Sequence, residues 1–338
     1  MIRSLKLSAT VLTLTFASIT FAAGDAPYST KSTMKIGGDG RWDYVTVDSS
    51  THLLYVTRST HTQVIDPSGK VTADIAGGKG LHGVALVPSA NRGVITDGKG
   101  AELIVFDMQS NEVLGKVAAA DDADGIIYDA GSDRVLVACG DAAQLLLLDP
   151  KADLKSAAVE KIDLGGKPEF LAADGKGRAF VNLQDKNQIA VVDLKTKSVV
   201  NRWDIGEGKS PTGLAIDPDK GRLFIGCRNE KLIVMDTSDG KVLAEVPIGK
   251  GNDACAFDAP YALASCGDGT LAVIKETDDG KWSAQQTVST ASGARTAAVD
   301  TSTHQVYLPT AEFEPLAQGQ RRPTAKPGSF KIIVVGRQ

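Results

Sequence analysis

A short phrase of two apolar residues followed by Asp returns along this chain at a nearly constant step. It reads Val64-Ile65-Asp66, Val105-Phe106-Asp107, Leu147-Leu148-Asp149, Val191-Val192-Asp193 and Val234-Met235-Asp236. The aspartates are 41 to 44 residues apart, the length of one four-stranded propeller blade. Weaker copies at Val273-Ile274-Lys275 and Val334-Val335-Gly336 bring the units to seven. Short apolar runs bounded by Gly, Asp, Asn and Pro fill each unit, and no segment after residue 30 carries a helical apolar stripe. A single unit of this size cannot bury its own apolar faces, so the repetition itself demands a core built between neighbours.

Aligned units assign the strands. The innermost strand is rich in small residues, as in Val84-Ala85-Leu86-Val87 and Leu214-Ala215-Ile216-Asp217, which suits several strands crowding around one axis. The second strand carries large side chains, as in Leu54-Tyr55-Val56 and Leu223-Phe224-Ile225, able to wedge between units. The closing aspartates are expected to accept backbone N–H groups of the following turn. The segment Thr33–Gly38 reads as an outermost strand yet precedes the first unit, and the last unit ends at Val335 without one. These features predict an all-β, seven-bladed propeller over residues 33–338, its last blade completed by the N-terminal strand, which leaves no open sheet edge.

The N-terminus is of another kind. Arg3 and Lys6 precede an apolar run from Leu7 to Ala23 that ends in small residues, the pattern of a cleaved signal peptide. Cleavage is expected after Ala22, giving a leader over 1–22, a linker over 23–32 and a periplasmic product. Loss of the leader removes two cations and no anions, so the formal charge of −4 becomes more negative by two. A basic stripe, the footprint of nucleic-acid binding, is missing.

Phrases such as Leu54-Tyr55-Val56-Thr57 and Gly221-Arg222-Leu223-Phe224-Ile225 resemble those of the YVTN-repeat β-propellers, and the chain resembles an exported member of the YncE-like branch from about residue 33 to its end. The resemblance implies a periplasmic ring that binds or scaffolds, and it carries no catalytic residues with it. The chain departs from the WD40 pattern, since Trp203-Asp204 falls in an outermost strand.

The residue just ahead of each innermost strand should face the mouth of the central channel. These are Asp43, Gly83, Asp124, Glu169, Thr212, Asp253 and Arg295. Beside the one arginine, the four carboxylates repel one another unless a cation or hydrogen-bond donors offset them, which motivates a site for a divalent metal ion or cationic ligand. Trp42 and His82 in adjacent units, with Arg58 and His61 in the first loop between second and third strands, complete a candidate small-ligand pocket. His52 and His304 occupy equivalent turns on the opposite face and read as structural. No paired-histidine spacing marks a zinc site.

The last unit departs most from the repeat. Residues 309–329 form a long, Pro-stiffened connection bearing Glu312, Arg321, Arg322 and Lys326, expected to act as a lid or partner contact over the mouth, or to lay its cations over the acidic ring. Of four cysteines, Cys255 and Cys266 are expected opposite each other on adjacent strands and able to pair, while Cys139 and Cys227 lie a unit or more apart. Several motif spellings lack their context. Gly78-x-Gly80-x-x-Gly83 has no helix to hold a pyrophosphate, and Gly208-Lys209-Ser210 lacks the upstream glycine of a phosphate loop.

Two functional classes follow. The first is a monomeric, non-catalytic binding or scaffold propeller that takes a small ligand, ion or protein partner at the mouth. The second is a lactonase-like propeller hydrolase using a metal or a carboxylate–His–Arg set drawn from the same residues. Single-stranded nucleic acid held by Arg321, Arg322 and aromatics is opposed by the acidic charge.

Overall fold

A computed structural model describes residues 26–38, 40–316 and 323–338. The leader predicted over 1–22, with its cleavage point, lies outside the described residues, as do Arg321 and Arg322. Among the described residues the regular elements are strands, apart from one short 3-10 turn, Pro88–Ala90, and no described helix is long and apolar enough to cross a membrane.

The strands form small antiparallel sheets of the propeller-blade kind, most of them four-stranded. A larger, seven-stranded sheet contains Val71–Val87, a strand of 17 residues. Its first half pairs with Ser59–Ile65 and its second half with Arg92–Asp97, so one strand closes one unit and opens the next. Innermost strands touch in sequence around the molecule, and the last, Ala298–Asp300, returns to the first, Val45–Val47.

The two chain ends share a sheet. Tyr28–Lys35 runs antiparallel to Lys331–Arg337, from Tyr28 opposite Arg337 to Lys35 opposite Lys331. Strand structure begins at Tyr28, within the segment expected as a linker over 23–32. Most side chains after Tyr28 in this strand are solvated and polar, so its sequence shows little apolar alternation. Tyr28 is the anchor: its ring is buried, its hydroxyl donates to Asp258 Oδ2 at 2.5 Å, and its N–H donates to Gln286.

Packing follows the strand roles. Tyr55, Phe180, Phe224 and Tyr307 of the second strands are essentially inaccessible. Tyr55 meets Phe106 at 5.7 Å, and Phe224 stacks on Phe257 of the next sheet at 5.3 Å. Each fully buried apolar side chain contributes about 1.5–3 kcal/mol, and the apolar clusters cross from one unit to the next, as where Val94 and Val105 join Val135 and Leu146.

The turn aspartates behave as the repeat demands. Asp66, Asp107, Asp193 and Asp236 each accept the N–H two residues ahead. On the face away from the mouth, His52 Nδ1 lies 2.7 Å from Asp300 and His304 Nδ1 2.7 Å from Asp258, tying each turn to its neighbour. Burial opposes ionisation of Asp300, yet hydrogen bonds from Ser302 and His52 hold its carboxyl well below the usual range.

A second device joins the units at the mouth. Buried polar side chains at the ends of second strands donate to backbone carbonyls near the start of the next innermost segment. Thr57 Oγ1 donates to His82 O at 2.7 Å, Thr96 Oγ1 to Asp124 O at 2.9 Å, Asn182 Nδ2 to Thr212 O at 3.0 Å and Ser265 Oγ to Arg295 O at 2.5 Å. From a different position, just ahead of the innermost strand Ala298–Asp300, Thr296 Oγ1 donates likewise to Asp43 O at 2.8 Å.

The cysteine expectation is corrected. Cys255 stands opposite Ala264, and Cys266 opposite Asn252, because the hairpin turns at Asp258–Tyr261 and a bulge follows Asn252. All four thiols are free and buried. They pack as small apolar groups, and burial pushes the Cys139, Cys227 and Cys266 thiols up to about 12.

Candidate functional site at the channel mouth

The hydroxyl clamps fix the backbone on which the mouth residues stand, and the charged side chains there form one network. His82 Nδ1 lies 2.8 Å from Asp43 Oδ2 and 3.4 Å from Asp124 Oδ1. The second oxygen of Asp43 faces Arg295 Nη2 at 3.4 Å, and Arg295 Nε donates to Asp253. Glu169 stands apart from that chain of contacts and faces Arg228 at 3.5 Å. Asp43 is thus the link, answering an imidazole on one side and a guanidinium on the other.

Burial and crowding decide the protonation states. Burial pushes Asp124 well above the usual carboxylate range; His82 opposes this, while Asp43 and Glu169 add to it. Its Oδ1 is closed to water and accepts no well-aligned hydrogen bond. Burial also raises Asp253, against the pull of Arg295. Glu169 rises to about 7 through burial and the nearby Asp253 carboxylate, which outweigh Arg228. For His82, burial favours the neutral ring, but the hydrogen bond to Asp43 and the charge of Asp124 win and raise it to about 9. Such displaced values gather where charges are held together for binding or chemistry.

Sequence reasoning missed Tyr44 and Arg228. Tyr44 is buried beside Asp43, with its ring 5.1 Å from Phe170. Burial and then the charges of Asp124, Asp253, Asp43 and Glu169 push its phenol well above 10. The signal was present: Tyr44 and Phe170 are the aromatics at a position where other units have Val84, Gly125, Gly213, Ala254 or Thr296.

Two expected ligand residues belong elsewhere. Arg58 is 1% exposed, donates to Gln63 at 2.6 Å and to the carbonyls of Gly37 and Gly40, and lies 3.9 Å over the Phe330 ring. It is a strut beneath the crossing of the two chain ends, since a guanidinium can satisfy several carbonyls and an aromatic face at once. His61 faces Asp74 of the neighbouring strand at 3.7 Å and takes no part in the network around His82.

The two described arms of the long connection, 309–316 and 323–329, pair with each other. Glu314 N donates to Thr324 O and Lys326 N to Glu312 O, each at 2.8 Å, and Phe313 pairs with Ala325. Lys326 lies 3.6 Å from Glu312, so this cation answers an acid of its own hairpin rather than the ring. Phe313 reaches Trp42 at 6.1 Å, and Trp42 in turn meets Phe330 at 5.3 Å. Between hairpin and mouth is a cavity of about 750 Å³, walled by Trp42, Phe313 and Pro323 and bordered by Arg41, Arg228, Asp253 and Arg295. Trp42, Asp253 and Arg295 thus share one cavity, while Asp43, His82 and Asp124 form the adjoining cluster.

No protein-family model matches the chain. Two curated proteins of Salmonella typhi and Salmonella typhimurium, both named "Uncharacterized protein YncE", are 24% identical to it over 194 residues, 54% of this chain and 53% of theirs. The chain thus matches about half the length of these curated relatives. Among solved structures it is similar to a chain of Kuenenia stuttgartiensis hydrazine synthase, with a TM-score of 0.68 and 13% identity, covering 87% of this chain and 95% of that one. That likeness concerns the fold alone.

Proposed function

We propose that this YncE-like β-propeller is an exported, periplasmic, monomeric and non-catalytic binding protein that takes a small ligand in the cavity between its channel mouth and the 312–326 hairpin. Seven blades are the architecture we infer: the seven-stranded sheet supplies two units sharing Val71–Val87, and the remaining sheets supply five more. The pairing of Tyr28–Lys35 with Lys331–Arg337 supports closure of the last blade by the N-terminal strand.

One observation carries the reading. The departure from the repeat, the hairpin, roofs a cavity of about 750 Å³ bordered by ring residues Asp253 and Arg295. That volume suits a small molecule, and its mixed wall of aromatic rings and guanidiniums suits an organic acid with a planar apolar body. The test is native mass spectrometry of the protein taken from periplasm, with the hairpin intact and with 312–326 replaced by a short Gly-Ser turn. A bound small molecule present only with the hairpin supports the reading. A bare mass in both forms overturns it.

The hydrolase reading keeps one observation in its favour. Glu169, raised to about 7, has the acidity of a general acid–base group. Its partner is Arg228, and among the described residues no hydroxyl nucleophile is paired with it.

A further inference from the structure

We propose that Asp43, His82 and Asp124 form a site for one divalent transition cation, of the zinc or manganese class, beside the cavity. The three residues come from consecutive innermost strands, and one ligand atom from each lies within 4.8 Å of the other two. His82 Nδ1 already points at both carboxylates, 2.8 Å from one and 3.4 Å from the other. A cation with bonds of roughly 2.0–2.2 Å sets neighbouring ligand atoms about 3.0–3.5 Å apart. The nitrogen–oxygen edges here are therefore close to those of a coordination polyhedron before any ion arrives.

A second observation asks for an occupant. Asp124 Oδ1 is shut away from water, directed into this cluster, and accepts no well-aligned hydrogen bond. Leaving a buried carboxylate oxygen so poorly answered costs free energy unless a charge completes it. One divalent ion shared by two carboxylates and a neutral imidazole would leave the cluster formally uncharged. Imidazole nitrogen with carboxylate oxygen is a donor set for zinc and manganese rather than for calcium, which favours all-oxygen cages.

The support around the three ligands is also built. Arg295 Nη2 faces Asp43 Oδ1 at 3.4 Å, which turns Oδ2 toward His82. Gly98 leaves room for the far edge of the imidazole, since a Cβ there would stand 3.0 Å from Nε2. The backbone carbonyls of Asp43, His82 and Asp124 are each held by a fully buried threonine, Thr296, Thr57 and Thr96. Partners of this kind orient ligands and tune affinity. The ligand side chains keep 20 to 27% exposure, so an ion could enter and retain water or a ligand at its remaining positions.

The test reads the ion alone, without organic ligand, and so stands or falls apart from the cavity reading. Zn²⁺ is titrated calorimetrically into the chelator-stripped full chain, and Co²⁺ is added separately to read its visible ligand-field bands. One saturable equivalent is expected, with affinity reduced about tenfold or more in Asp124→Asn and in His82→Gln and unchanged in His61→Ala. Near-UV circular dichroism checks that each variant is folded, and the cobalt bands of the unsubstituted chain do not depend on any variant. Absence of one-to-one binding and of cobalt bands in the unsubstituted chain, or binding that survives both ligand substitutions unchanged, would overturn the assignment.

Discussion

His82 and Asp43 meet across the joint between two consecutive innermost strands, Nδ1 to Oδ2 at 2.8 Å. The contact is possible because the carbonyl of His82 is itself gripped by Thr57 from the second strand of the preceding unit. A device that holds blades together thereby also sets the spacing of charged groups at the mouth. The polar network and the apolar wedges are one construction, read from two sides.

Replacing the clamp with an isostere should separate these roles. Thr57→Val keeps the volume but leaves the carbonyl of His82 with the Tyr44 N–H alone, at a cost of about 0.5–1.5 kcal/mol. The variant should unfold at lower denaturant with an unchanged slope, and metal or ligand binding at the mouth should weaken with it. An unchanged midpoint would show that the hydroxyl does not bear load.

Glu169 gives a pH dependence whose sign is fixed. Its folded-state value is raised from 4.5 to about 7, so between those pH values the folded protein holds a proton that the unfolded chain has released. Stability therefore falls as pH rises through that window. Glu169→Gln should be more stable than the parent at pH 8, by about 1–3 kcal/mol, and equal to it near pH 4. Parallel denaturation curves at both pH values test this, and an equal difference at both would refute the buried-acid account.

Arg58 should prove structural. Arg58→Ala removes the donor to Gln63, Gly37 and Gly40 and the cation over Phe330, so a loss of about 2–4 kcal/mol is expected. Once folded at low temperature, the variant should bind ions at the mouth as the parent does. A fully stable Arg58→Ala with abolished binding would return Arg58 to the site.

What could be read in advance was what repeats. The aspartates at 66, 107, 149, 193 and 236 reveal the period because every unit needs the same turn. Asp43, Asp124, Glu169, Asp253 and Arg295 follow by alignment, since equivalent backbone positions share a face. Arg58 was misread because a charged loop residue looks solvated until Phe330, from the far end of the chain, closes over it. The clamps at Thr57, Thr96, Asn182 and Ser265 escaped notice because three residue types perform one job, and only their common acceptor reveals it. Local register was the weakest inference, as Cys255 and Cys266 show: the tight turn that sets Asp258 opposite Tyr261 already places Cys255 against Ala264, and the bulge after Asn252 then sets Cys266 against Asn252.

That register makes the cysteines a final test of the hairpin itself. With Cys255 opposite Ala264 and Cys266 opposite Asn252, the two thiols are not a cross-strand pair. Burial keeps them protonated, with Cys266 pushed up to about 12, and a thiol without thiolate character reacts slowly. A thiol reagent at pH 8 should therefore find almost no reactive cysteine in the native protein and all four after denaturation without reductant. Reduction should leave electrophoretic mobility and melting temperature unchanged. Release of only two thiols on denaturation would restore a Cys255–Cys266 bridge and require the hairpin to slip from the register seen here.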